Sequence, residues 1–202
     1  MTSIYRDPVD FYNDHALEFD NARSRVLFER RWLDSFLDCL SPNSSILDIG
    51  CGTGEPIAAY LMAAGHHVTG VDASSSMLKI AQSRFPAANW IHADMRQLQL
   101  GNRFDAIIAW DSFFHLSPDA QRQALAAFVD HASPQATIMF TSGHMFGEAI
   151  NPLFGEPLYH ASLATEEYQA ELQRYGFSIL KHRVQDIDCG DHTIWLAKRD
   201  EK

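Results

Sequence analysis

From Ser45 onward, short apolar runs alternate with stretches in which apolar residues recur every three or four positions. The short runs, Ser45–Ile49, His67–Val71, Trp90–His92, Phe104–Trp110, Ala136–Thr141, Phe177–His182 and His192–Ala197, read as strands. The periodic stretches, Glu55–Ala64, Ser74–Arg84, Asp119–His131 and Thr165–Tyr175, read as helices. Ser117-Pro118 supplies a cap and a first-turn proline, Thr165-Glu166-Glu167 a helix start, and Gly65 and Gly176 helix ends. Ahead of these, residues 8–40 read as helical. Phe28, Trp32, Leu33, Phe36, Leu37 and Leu40 form one stripe fit for core packing, and Ser41-Pro42-Asn43 ends it.

Strands alternating with helices predict an α/β fold, a doubly wound sheet with helices on both faces. Seven strands are expected, mostly parallel; the last two have no helix between them, so the final one is expected antiparallel. The organisation expected is one globular unit: an N-terminal helical cap over 1–40 and a domain over 41–202. From Ser142 to Ser162 the pattern stops. Gly143, Gly147, Pro152, Gly155 and Pro157 punctuate a stretch rich in His and aromatics, expected to be an irregular insertion or lid. Asp186–Asp191 reads as a turn-rich acidic connection.

Composition narrows the partners. The 202 residues suit one domain, and the net charge of -10 opposes the cationic face that nucleic acid or an anionic membrane requires. No apolar run approaches the length of a membrane span, and the first eight residues hold no signal-peptide core. Cys39, Cys51 and Cys189 are scattered and form no CxxC pair, so neither a disulfide framework nor structural zinc is expected, and a cytoplasmic setting is.

The chemistry centres on Gly50-Cys51-Gly52-Thr53-Gly54, between the first expected strand and helix. In an open parallel sheet, ligands bind beyond the carboxyl ends of the strands. Glycines admit a tight turn and close approach, and a helix start offers free amides. A dinucleotide turn places its third glycine at position 55; here that residue is Glu55. Asp48, inside the strand, is a buried carboxylate that an ammonium would satisfy. Asp72 lies at the distance, roughly 20 residues on, expected of an acid that binds ribose hydroxyls. Asp94 and Met95 follow the third strand, where a carboxylate can accept from an adenine amine.

In order and spacing, Ile46–Gly54, Val71-Asp72-Ala73-Ser74, Ala93-Asp94-Met95 and Phe104–Trp110 resemble the successive motifs of class I S-adenosylmethionine-dependent methyltransferases. The resemblance covers residues 40–200 at fold level and is nearest to small stand-alone bacterial domains. It implies an enzyme with S-adenosyl-L-methionine as cofactor. Asp48, Gly50, Gly52 and Gly54 would surround its methionine end, with Cys51 the common residue of the motif and given no redox role. Asp72 would take the ribose, Ala73 or Met77 would line the adenine, Asp94 and Met95 would meet the adenine edge, and Trp110 would lie near the sulfonium.

Methyl transfer from a sulfonium depends chiefly on positioning, with a base only where the nucleophile is still protonated. Trp110-Asp111-Ser112-Phe113-Phe114-His115-Leu116 follows the fourth strand, where an acceptor would meet the methyl group. His115 is the first candidate base, against a plain capping role; Asp111 is a second candidate, read more readily as scaffold. His144, Tyr159 and His160 could wall the acceptor site but follow no metal-ligand spacing. His66-His67 sits at a strand edge. Tyr5, Phe11 and Tyr12 either close over the cofactor or only cover the sheet. The expected partner is a small-molecule acceptor, with its identity, the atom methylated and the oligomeric state left open. Two rivals are a non-enzymatic sensor of S-adenosylmethionine or its demethylated product, and a nicotinamide-dependent oxidoreductase.

Overall fold

The computed structural model describes residues 6–201. The first expected helix divides into three: α1 (Pro8–Asp14), α2 (Ala16–Ala22) and α3 (Arg30–Leu37). Asp7 caps α1 by accepting from the Val9 amide, with Pro8 in the first turn. His15 breaks the helical path between α1 and α2, and residues 23–29 leave it altogether. Tyr5 lies outside the described residues.

The alternating unit follows: β1 (Ser45–Ile49), α4 (Ile57–Ala63), β2 (His67–Asp72), α5 (Ser75–Arg84), β3 (Asn89–His92), β4 (Phe104–Ala109), α6 (Pro118–Asp130) and β5 (Ala132–Ser142). The predicted α6 cap is present, Ser117 Oγ accepting from the Ala120 amide. Next come β6 (Gly147–Leu153), β7 (Glu156–Ser162), α7 (Thr165–Arg174), β8 (Phe177–Asp186) and β9 (His192–Arg199). Seven strands form one sheet in the order β3-β2-β1-β4-β5-β9-β8. β1 to β5 run parallel, and β9 is antiparallel to both β5 and β8. The sheet is as expected, a mostly parallel α/β fold with the last strand reversed.

The two faces follow from the two-residue period of a strand. Leu47, Ile107, Ile138, Phe140 and Trp195 point into one core with α6 and α7. Ile46, Ala106, Ile108, Met139 and Leu196 point into the other, where Trp32, Leu33 and Phe36 of α3 pack. The α3 stripe is therefore core.

The 142–162 stretch is not irregular. β6 and β7 form a two-stranded hairpin, with Pro152 opposite Pro157 and Leu153 opposite Glu156. Phe154 (φ 49°) and Gly155 (φ 81°) make its turn in the left-handed conformation that tight hairpins need. The glycines and prolines that looked like loop signals are those of a turn and its exposed rim. α1 packs on this turn through Phe11, whose ring stacks on Phe154 with centroids 6.1 Å apart.

Candidate functional site

At the carboxyl ends of β1, β2 and β4 lies a cavity of about 320 Å³. Its floor is the turn after β1. The Gly50 and Cys51 amides both donate to the Val71 carbonyl, at 2.7 and 3.1 Å, which locks the turn to β2. Gly50 (φ 73°) has no room for a side chain: a Cβ there would lie 2.1 Å from that of Ser112. Ser112 Oγ in turn donates to the Ile49 carbonyl at 2.8 Å, joining the β1 and β4 loops.

Asp72 fixes the second side. Its Oδ2 accepts from the Gly52 amide and its Oδ1 from the Ser74 amide, each at 2.8 Å. Burial raises its pKa above the ordinary carboxylate value, and these two amides and nearby His92 partly oppose the rise. Asp48 is in another position. Burial, then the Asp72 charge, pushes its carboxyl up to about 7, and no hydrogen bond answers its desolvation. It lines the cavity, so a cation there would complete it.

The adenine-side residues of the sequence reading, Ala73, Met77, Asp94 and Met95, also line the cavity, as do Cys51, Gly52 and Trp110. Asp94 is engaged within the protein: it accepts from the Arg96 amide at 2.8 Å and from Arg96 Nε at 2.9 and 2.8 Å. That pairing with the guanidinium lowers its pKa. Gly54 is not brought to the cavity wall. A Cβ on it would meet Trp90 at 2.9 Å and Phe85 at 3.2 Å, so this glycine serves packing behind the turn. Cys51 is a buried free thiol, its pKa raised well above the usual value by burial.

The far end is built from distant segments. His115 Nδ1 donates to the Tyr159 carbonyl at 3.0 Å, so Nε2 holds the lone pair and accepts from the Tyr12 hydroxyl at 2.9 Å. Burial lowers the His115 pKa to about 4, so the ring is neutral at pH 7. Burial also raises that of Tyr12, keeping the hydroxyl protonated. Asp111 adopts φ 50°, its amide donates to Thr141 Oγ1 at 2.9 Å, and its Oδ1 accepts from His192 Nε2 at 2.7 Å. Tyr12, Asp111, His115 and Tyr159 all line the cavity. His160 stands behind this wall, its ring 4.8 Å from that of His115 and 5.3 Å from that of Phe114. His144 and His66-His67 are not among the lining residues. Among the described residues, no three His, Cys, Asp or Glu side chains are grouped to hold a metal ion.

A family model described as "Methyltransferase domain" matches residues 46–135. Over that segment the chain is similar to methyltransferases of this family. A similar curated protein is the dTDP-3-amino-3,6-dideoxy-alpha-D-glucopyranose N,N-dimethyltransferase of Streptomyces fradiae. It is 37% identical over 98 residues, covering 48% of this chain and 38% of that one. This chain spans about half or less of the curated relatives first in similarity. Among solved structures, the CcbJ methyltransferase from Streptomyces caelestis has a TM-score of 0.75 at 16% identity, over 98% of this chain and all of that one. The sugar N-methyltransferase KedS8 from Streptoalloteichus has a TM-score of 0.72 at 18% identity, over all of this chain and 98% of that one. Both show the class I methyltransferase fold.

Within that fold, the reading of separate motifs missed several wall residues. Asp7, Phe19, Arg23 and Glu55 line the cavity, and the N-terminal helices close over it. Asn13 Oδ1 accepts from Ser74 Oγ at 2.9 Å and from the Ser76 amide at 3.1 Å. Asp20 accepts from Arg84 at 3.0 and 2.8 Å, and Arg84 also donates to the Thr53 carbonyl at 3.2 Å. This pairing holds Asp20 well below the usual carboxylate range. No sequence period signals such contacts, because each spans 30 or more residues. Among the described residues, no helix is long and apolar enough to cross a membrane.

Proposed function

We propose that the chain transfers a methyl group from S-adenosylmethionine to a small-molecule amine. The observation that carries this reading is Asp48. A carboxylate buried at the end of β1, without a hydrogen bond, beside a glycine turn that admits close approach, fits the ammonium of an amino-acid ligand. The fit extends along the cavity. Gly50, Cys51 and Gly52 would border the methionine end; Asp72 would take the ribose hydroxyls; Ala73, Met77, Asp94 and Met95 would border the adenine; and Trp110 would lie near the sulfonium. Gly54 supports the turn from behind. When bound, the cofactor supplies a methyl group already activated for in-line displacement.

The protein's own task is then to orient the acceptor and remove its proton. Tyr12 and His115 form a relay. The acceptor's proton passes to the Tyr12 oxygen as the Tyr12 proton passes to His115 Nε2. His115, neutral and held by the Tyr159 carbonyl, turns its Nε2 lone pair toward the Tyr12 hydroxyl, though burial makes it a weak base. The amine preference rests on the Streptomyces fradiae and Streptoalloteichus proteins, whose names state N-methyl transfer. The β6–β7 hairpin would form the acceptor-side lid, and α1 and α2 the cap over the cofactor. The net charge of -10 supports a small acceptor over nucleic acid, and the free thiols of Cys39, Cys51 and Cys189 support a reducing cytoplasm.

Thermal shift tests the cofactor. S-adenosylhomocysteine should raise the Tm and NAD should not; the reverse overturns the reading. Turnover is tested by release of S-adenosylhomocysteine against a panel of amines that includes the amino-sugar nucleotide named above. Binding without release on any amine would favour a sensor.

A further inference from the structure

His192 lies in β9, about 80 residues beyond Asp111, and belongs to none of the cofactor motifs. Both of its ring nitrogens face acceptors. Nε2 is 2.7 Å from Asp111 Oδ1 and Nδ1 is 2.6 Å from the Cys189 carbonyl. Neither acceptor has a proton to give when the carboxylate is ionised, so the contacts are satisfied together only by the imidazolium. Burial would depress its pKa, but Asp111 and the Cys189 carbonyl outweigh that and raise it.

The ring is also fixed in place. It lies between Trp110 and Phe28, with centroids 5.5 and 5.8 Å away. The Cys189 carbonyl is aimed by a single 3-10 turn, Ile187–Cys189, that ends on left-handed Gly190 (φ 63°). A Cβ at Gly190 would lie 3.2 Å from His192 Nδ1 and 3.3 Å from Phe28, so the turn is shaped around this ring. On the other side, Asp111 is held in a left-handed conformation uncommon for a residue with a side chain. Its Oδ2 makes no hydrogen bond among the described residues, and the residue lines the cavity beside Tyr12 and His115.

We propose that His192 is a positioning residue. It holds the Asp111 carboxylate aimed at the acceptor end, where that carboxylate takes an N–H of the acceptor's ammonium group and selects it over a hydroxyl. This rests on the methyltransferase reading above. Tyr12 and His115 beside it are neutral, and His192 engages only Oδ1, so the free Oδ2 is the charged acceptor that an ammonium would meet. A charged hydrogen bond has about 1.5–3 kcal/mol to contribute, a preference of roughly 10- to 150-fold.

The test uses the full chain saturated with S-adenosylhomocysteine, titrated by NMR with cyclohexylamine and with cyclohexanol, two rings of one shape. The wild type is expected to bind the amine at least about tenfold tighter. His192→Phe, which keeps a stacked ring but no donor, should reduce that preference to within about threefold, with S-adenosylhomocysteine affinity unchanged within twofold. His192→Gln, which restores an N–H donor, should recover most of it. Asp111→Asn should lose it, and adding His192→Phe to Asp111→Asn should lose nothing more. Equal binding of the two probes by the wild type, or full amine preference in His192→Phe, overturns the proposal. Failure to bind S-adenosylhomocysteine at the outset would instead overturn the methyltransferase reading.

Discussion

The two ends of the cavity are built in opposite ways. The end proposed for the cofactor comes from consecutive strand-to-helix turns: Asp48 to Gly52, Asp72 to Ser74, Asp94 to Met95. Each turn is local, and a parallel sheet brings them to one edge because its strands all end there. The acceptor end draws Tyr12 from α1, Asp111 and His115 from the β4 loop, Tyr159 from β7 and His192 from β9. Its geometry exists only once distant segments meet. The first end is carried by fold and backbone, the second by side-chain pairs. Substitutions should therefore separate the two ends cleanly, with cofactor affinity moved at one and turnover at the other.

The largest effect is expected at the acceptor end. His115→Ala should lower kcat about 100-fold, as loss of an acid–base group does, with S-adenosylhomocysteine affinity within threefold of wild type. Tyr12→Phe should follow it in turnover, and no change in kcat for both would remove the relay. At the other end, Asp48→Asn should weaken S-adenosylhomocysteine binding at least about 30-fold in calorimetry, as loss of a charge-assisted hydrogen bond would. An unchanged affinity would show that the ammonium sits elsewhere.

The same carboxyl gives a pH dependence. Its folded value of about 7 lies above the ordinary one near 4, so the cofactor-free folded protein keeps a proton that the unfolded chain has already lost. Stability from this group is present at low pH and fades as pH rises through about 7. Cofactor binding runs the other way, because an ammonium requires the ionised form. The Kd for S-adenosylhomocysteine should fall roughly tenfold from pH 6 to pH 8 and then level off. Asp48→Asn should flatten that profile and, without cofactor, raise the Tm at pH 8 by roughly 4 °C. Gly54→Ala sharpens the contrast from inside the turn: with φ 80° and Trp90 at 2.9 Å, it should cost roughly 2–4 kcal/mol in urea unfolding. Asn13→Ala should be the mildest, a loss of roughly 1–2 kcal/mol in urea unfolding, since it removes two neutral hydrogen bonds of about 1 kcal/mol each.

What the sequence showed and what it hid follow the same division. Strand alternation, the reversed last strand, and the positions of Asp48, Asp72 and Met95 were legible because each is a matter of neighbouring residues. Gly54 shared the spacing of its fellow glycines but not their surroundings, and only Trp90 and Phe85 behind it reveal its task. The β6–β7 hairpin was hidden by its own punctuation: Phe154-Gly155 is a two-residue turn, and Pro152 and Pro157 face each other on a short two-stranded sheet rather than within a core strand. Residues 8–40 kept a helical composition across His15 and Arg23, where packing on Glu156 and pairing with Glu29 break the path. His192 had no motif around it, because its partner Asp111 lies across the sheet.

The short N-terminal segment ties together two walls of the cavity. Asn13 grips the loop after β2, and through Arg84 Asp20 grips the loop after β1. A nucleoside and an amino acid presented separately would each meet only one of these staples, whereas the joined molecule spans both. On the proposed reading, exchange of spent cofactor for fresh should be slowed by these two contacts. One staple is ionic, so residence time should shorten as salt rises while the cavity itself keeps its shape.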